Sequence, residues 1–168
     1  MTRIPGLTRT LLLAALVAAG EAMAFQVADF ESGMGKREVM EKLITQWNFD
    51  KIEEPSSETI LAYDTSSELN RRYLFSFCKG KLTGFEQDIK PSHKALVIVI
   101  QNYTQKYGQP SRVYANTHVV SNGEKYVLGL FWKSGVDHIG VKYILLPTTE
   151  QMSLSFEVNN LCYPTPRF

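Results

Sequence analysis

Only two cysteines, Cys78 and Cys162, occur among 168 residues, and neither sits in the C-x-x-C spacing that tunes a redox-active thiol. Histidine is equally scarce. His93, His118 and His138 are far apart, outside any H-x-x-x-H, H-E-x-x-H or mixed Cys/His ligand pattern, so no metal centre is expected. Also missing are the G-x-S-x-G elbow, an S-x-x-K pair, the P-loop and G-x-G-x-x-G, which removes the usual signatures of acyl transfer, phosphoryl transfer and dinucleotide binding. No cofactor is expected and no catalytic residue is assigned. The acidic pair Glu53-Glu54 is adjacent in sequence, where side chains diverge, and reads as a solvated loop. An excess of either charge is lacking too, with 18 basic and 17 acidic residues. Neither nucleic acid nor an anionic lipid surface is therefore a favoured partner.

Long hydrophobic runs are confined to Leu11–Ala19, which is too short to span a bilayer but suits the apolar region of a secretory signal. Arg3 and Arg9 precede it without an acid, and Ala22-Met23-Ala24 follows with small residues where a signal peptidase requires them. Residues 1–24 are thus expected to be a cleavable signal peptide, with cleavage before Phe25. The mature chain would be periplasmic or secreted, without stable membrane insertion. Loss of Arg3, Arg9 and Glu21 would leave it electrically neutral. In an oxidising compartment Cys78 and Cys162 are expected to pair, the alternative being two separate buried thiols.

Local signals divide residues 25–168 into two halves. Met34-Gly35-Lys36-Arg37-Glu38-Val39 reads as a helix start with Gly35 at the cap, and Val39, Leu43, Ile44 and Trp47 then share one face. A short strand at Thr59–Tyr63 precedes a hairpin over Arg72–Ile89 that turns at Lys79-Gly80. Pro91-Ser92 starts a second helix whose stripe is Leu96, Ile100, Tyr103 and Tyr107, broadened by Val97 and Ile98, and Gly108 with Pro110 ends it. The sequon-like Asn102-Tyr103-Thr104 falls inside this helix and carries no weight. Strands follow at Arg112–Val119, Lys125–Trp132, Val136–Leu146 and Ser153–Val158, with turns at Asn122-Gly123 and Ser134-Gly135. The expected fold is a single α+β domain in which two helices pack on one face of an antiparallel sheet. It consists of two α-then-β units, about residues 25–90 and 91–168.

The first unit's Gly33-Met34-Gly35-Lys36-Arg37-Glu38-Val39 is similar to the Gly-Met-Thr/Ser-x-x-Glu/Gln-Val helix start of the SmpA/OmlA-type envelope proteins, which share a fold with the β-lactamase inhibitor proteins. Gly35 stands where that group has a hydroxyl cap, and the lipid-anchoring cysteine is absent. Tyr107-Gly108-Gln109-Pro110 looks like a variant of the same module in the second unit. The resemblance implies helices on one face of an antiparallel sheet, and protein binding without catalysis.

The leading expectation is therefore a non-catalytic exported protein that binds another envelope or exported protein through its sheet face or loops. Tyr73, Phe75, Phe77, Tyr126 and Trp132 form the candidate binding surface, the alternative being that they fill the core between sheet and helices. Two other readings are an inhibitor or immunity protein of an exported hydrolase, and a small exported enzyme. The enzyme would need His118 or His138 in a pocket beside a carboxylate.

Overall fold

A computed structural model describes residues 25–47, 49–65, 71–160 and 162. The expected signal peptide, residues 1–24, lies outside them, as do the connection at Ser66-Ser67-Glu68 and the tail containing Pro164 and Pro166. A short hairpin, β1 (Gln26–Val27) and β2 (Phe30–Glu31), leads into helix α1 (Lys36–Lys42) and a meander of β3 (Lys51–Ser56), β4 (Thr59–Asp64), β5 (Arg71–Cys78) and β6 (Lys81–Ile89). Helix α2 (His93–Tyr107) opens a second meander, β7 (Arg112–Val120), β8 (Gly123–Ser134), β9 (Asp137–Leu145) and β10 (Glu150–Val158). The eight long strands form one sheet in the order β3-β4-β5-β6-β10-β9-β8-β7, with every pairing antiparallel. Each unit is thus one helix followed by four strands, and the last strands of the two units, β6 and β10, zip together at the centre.

Local chemistry accounts for these elements. The Ser92 hydroxyl accepts a 3.0 Å bond from the Ala95 amide, taking up one of the donors that α2 would leave without a partner. Gly108, at φ 82°, ends that helix in a conformation L residues avoid. The Trp132 indole donates to the Gly108 carbonyl at 3.0 Å, tying the helix end to β8. In the β5–β6 hairpin both turn residues, Lys79 and Gly80, have positive φ, as the two-residue turn matched to strand twist requires.

Helix α1 continues as a π-turn over Leu43–Trp47. The wider turn holds Val39 and Leu43 in the core, with Trp47 packed against it, and turns Ile44 out to 60% exposure, contrary to its expected place on the buried face. Val97 and Ile98 are likewise exposed, so the buried stripe of α2 is narrower than expected. Strand β3 is an element that local patterning assigns to a polar connection. Pro55 and three charges conceal it, features tolerated where one side of a strand has no neighbour.

Two hydrophobic clusters hold the sheet. One gathers Phe30, Val39, Leu43, Ile60, Phe75, Phe77, Leu82 and Phe85, and the other Leu96, Leu130, Trp132, Ile139, Val141, Tyr143 and Met152. Phe156 packs against both. Register places Phe75, Phe85, Phe156, Ile139 and Trp132 side by side across five strands. Each such side chain taken fully from water contributes about 2–3 kcal/mol, so the row welds the units together. Cys78 and Cys162 form a disulfide (S–S 2.07 Å) that ties the end of β5 to the chain beyond β10.

Candidate functional site

Strand alternation sends Tyr73, Phe75, Phe77 and Trp132 into the two clusters, where each is at most 6% exposed. They cannot form the aromatic surface expected of them, because the bulky alternate set on each strand fills the two clusters. Tyr126 is 46% exposed at the start of β8, its hydroxyl bonded to Glu124. The residues of opposite parity define the face turned away from the clusters.

On that face, in the second unit, two rings lie down over glycines. Tyr114 on β7 is opposite Gly129 on β8, and Phe131 on β8 is opposite Gly140 on β9. A Cβ on Gly129 would come within 2.3 Å of the Tyr114 ring, and one on Gly140 within 3.2 Å of the Phe131 ring. The glycines therefore create the space in which Tyr114 and Phe131 stack, 5.7 Å apart and within 11° of parallel. The Arg112 guanidinium sits 5.9 Å from both ring centres, in range for cation–π attraction. Beside this platform is an open hollow of about 560 Å³ lined by Arg112, Tyr114, Asn116, His118, Lys125, Val127, Lys142 and Ile144. Among the described residues no carboxylate lines it, and none of Arg112, Lys125 and Lys142 is ion-paired.

The same face has the opposite character at the seam. Arg72 donates to Glu86 at 3.0 Å and to Asp88 at 3.4 Å, and burial lifts the Asp88 carboxyl above its ordinary range despite the nearby guanidinium. Arg71, Arg72, Asp88, Glu150 and Gln151 border a cavity of about 320 Å³ there. At its rim the Tyr143 hydroxyl donates to Glu150, which with partial burial pushes the phenol up to about 12. Within this network Arg72 is thus already faced by two carboxylates.

The histidines do not converge. His118 pairs with Lys125 and His138 with Lys133, eight residues apart along β8, or about 27 Å at strand rise. His118 looks onto cations, while His138 bonds the Asn159 side chain at 2.7 Å. His93 lies near Tyr143 at the start of α2, the ring centres 6.0 Å apart. Among the described residues no three His, Cys, Asp or Glu side chains gather to hold a metal, and no helix is long and apolar enough to cross a membrane. The platform went unseen in the sequence because Tyr114 meets Gly129 only through the β7–β8 register. The available signal was the alternate set Arg112, Tyr114, Asn116 and His118, none of them aliphatic. No family model matches the chain, and no curated protein or solved structure is significantly similar to it.

Proposed function

We propose that the chain is an exported, non-catalytic binding protein, periplasmic or secreted after removal of residues 1–24, whose partner is another envelope or exported protein. Both helices cover one face of the sheet and leave the other to the partner. The shared position of Phe156 between the two clusters supports this arrangement, since a residue touching both must lie on the side where both helices pack. The observation that carries the reading is the platform of Arg112, Tyr114 and Phe131 beside unpaired Lys125 and Lys142. Tyr114 and Arg112 supply contacts of the kind that dominate protein interfaces, while Phe131, only 8% exposed, backs the Tyr114 ring from below. The lysines select an acidic segment and speed its encounter. The SmpA/OmlA resemblance, with its sheet-mediated protein binding, points the same way, and the disulfide suits an oxidising compartment.

The test is capture from envelope extracts with the native protein and with Arg112→Glu/Lys142→Glu in parallel. A partner retained by the native protein at low salt, and lost by the double variant and at about 0.5 M salt, is the expected outcome. Equal retention of every captured protein by both forms rejects the site. Amino-terminal sequencing of the accumulated protein checks export separately, with Phe25 expected as the first residue.

A further inference from the structure

The two edges of the sheet are built differently. Strand β3 carries Lys51, Glu53, Glu54 and Pro55, and its register with β4 shifts between Glu53 and Ser56. Charges, a proline and a bulge are the devices by which an edge refuses another strand. Strand β7, at the other end, has none of them between Val113 and Val120. It keeps an unbroken register with β8 over nine pairs, seven of its nine residues are exposed, and two of these are valines, Val113 at 58% and Val119 at 87%. Its outer row of amides and carbonyls is a template for one more strand.

The sequence of β7 also says which strand. About Asn116 it is nearly self-complementary when run antiparallel to itself: Val113 meets Val119, Ala115 meets Thr117, Tyr114 meets His118, and Arg112 meets Val120. No like charges oppose one another, and the two Arg112 side chains end about 27 Å apart. Shifting the register by two residues in either direction loses both valine pairs, and in one direction sets Arg112 against His118. We infer that β7 is a homodimer interface. Two copies pair antiparallel about Asn116 to give a continuous sixteen-stranded sheet, with both platform faces on the same side. About eight to ten new backbone hydrogen bonds close the exposed edge, and the two valine pairs supply its apolar contact.

The experiment is sedimentation equilibrium of the disulfide-intact protein and of two double variants. In Val113→Glu/Val119→Glu the proposed dimer sets glutamate against glutamate twice, and in Val113→Lys/Val119→Lys lysine against lysine. Both sites are exposed, so folding is retained, which circular dichroism verifies. The native protein is expected to show a reversible monomer–dimer equilibrium. Each variant alone should raise the dissociation constant about 100-fold, equivalent to two tenfold steps. An equimolar mixture should form the heterodimer, each glutamate then facing a lysine. A native protein still monomeric at about 100 μM, a dimer indifferent to both charge sets, or a mixture that stays monomeric overturns the inference. A dimer broken instead by charges at Val97 and Ile98 on α2 also overturns it.

Discussion

Replacing both cysteines, Cys78→Ala/Cys162→Ala, should destabilise the protein by about 4.5 kcal/mol. The bridge closes a segment with a sequence separation of 84. A loop of that size removes roughly 15 cal/mol/K of entropy from the unfolded chain, which is about 4.5 kcal/mol at 25 °C. For a domain of this size the loss corresponds to a fall in Tm of roughly 15 °C. Because the effect acts on the unfolded state, the uncrosslinked chain should expand on denaturation and its urea m-value should rise. Urea titrations of the native protein, the reduced native protein and the double alanine variant distinguish this from local packing. Reduced protein and variant should agree within about 1 kcal/mol, since alanine leaves only a small void at the 8%-exposed Cys78. A loss below about 1 kcal/mol with an unchanged m-value would refute the loop-closure reasoning.

Gly129→Ala should drive the Tyr114 ring off the sheet, because its Cβ would lie 2.3 Å from a ring atom. The expected cost is about 1–2 kcal/mol by overpacking, with loss of the ring-current shifts of stacked Tyr114 and Phe131 in proton NMR; unchanged shifts would contradict the platform geometry. Asp137 is raised to about 6 by burial, partly offset by His138, and its buried Oδ1 has no hydrogen-bond partner among the described residues. Between about pH 4 and 6 the folded state therefore holds a proton that the unfolded chain has released, so this group favours folding as the pH falls and opposes it as the pH rises. Asp137→Asn should accordingly be more stable than the native protein at pH 7.5, by about 1 kcal/mol after allowing for its partial exposure. The difference should vanish by pH 4, and one that does not depend on pH excludes the mechanism. Ser92→Ala should lower stability by about 1 kcal/mol through loss of the bond to the Ala95 amide, and Ser92→Gly by only a few tenths. Equal losses would place the effect outside the cap.

What the sequence revealed was what depends on neighbours in the chain. The cap at Ser92, the stop at Gly108 and the turn at Lys79-Gly80 are set by a few consecutive residues, and the structure places each where the pattern does. The cysteine pair was legible because only one pairing exists. Strand β3 was not, because the residues that protect an edge are those that mask a strand. Alternation sorted Tyr73, Phe75 and Phe77 from Leu74, Ser76 and Cys78 but carried no sign telling which set faces inward. That sign comes from α1 and β2, through contacts such as Phe30 to Phe75 at 4.7 Å. The platform depends on two cross-strand registers, Tyr114 with Gly129 and Phe131 with Gly140. No local window contains either.

The central pairing of β6 with β10 fixes an order of events as well as a shape. The first helix and its four strands make contacts mostly among near neighbours, which form quickly, whereas β6 must keep one flank open until β10, the last of the described strands, arrives. In a chain delivered end-first, that flank is bare throughout synthesis of α2 and three further strands, a period in which a half-made sheet invites misassembly. The thiol of Cys78 waits through the same interval. Cys162 follows β10 in the chain, so its bridge to Cys78 cannot form before β10 has been made.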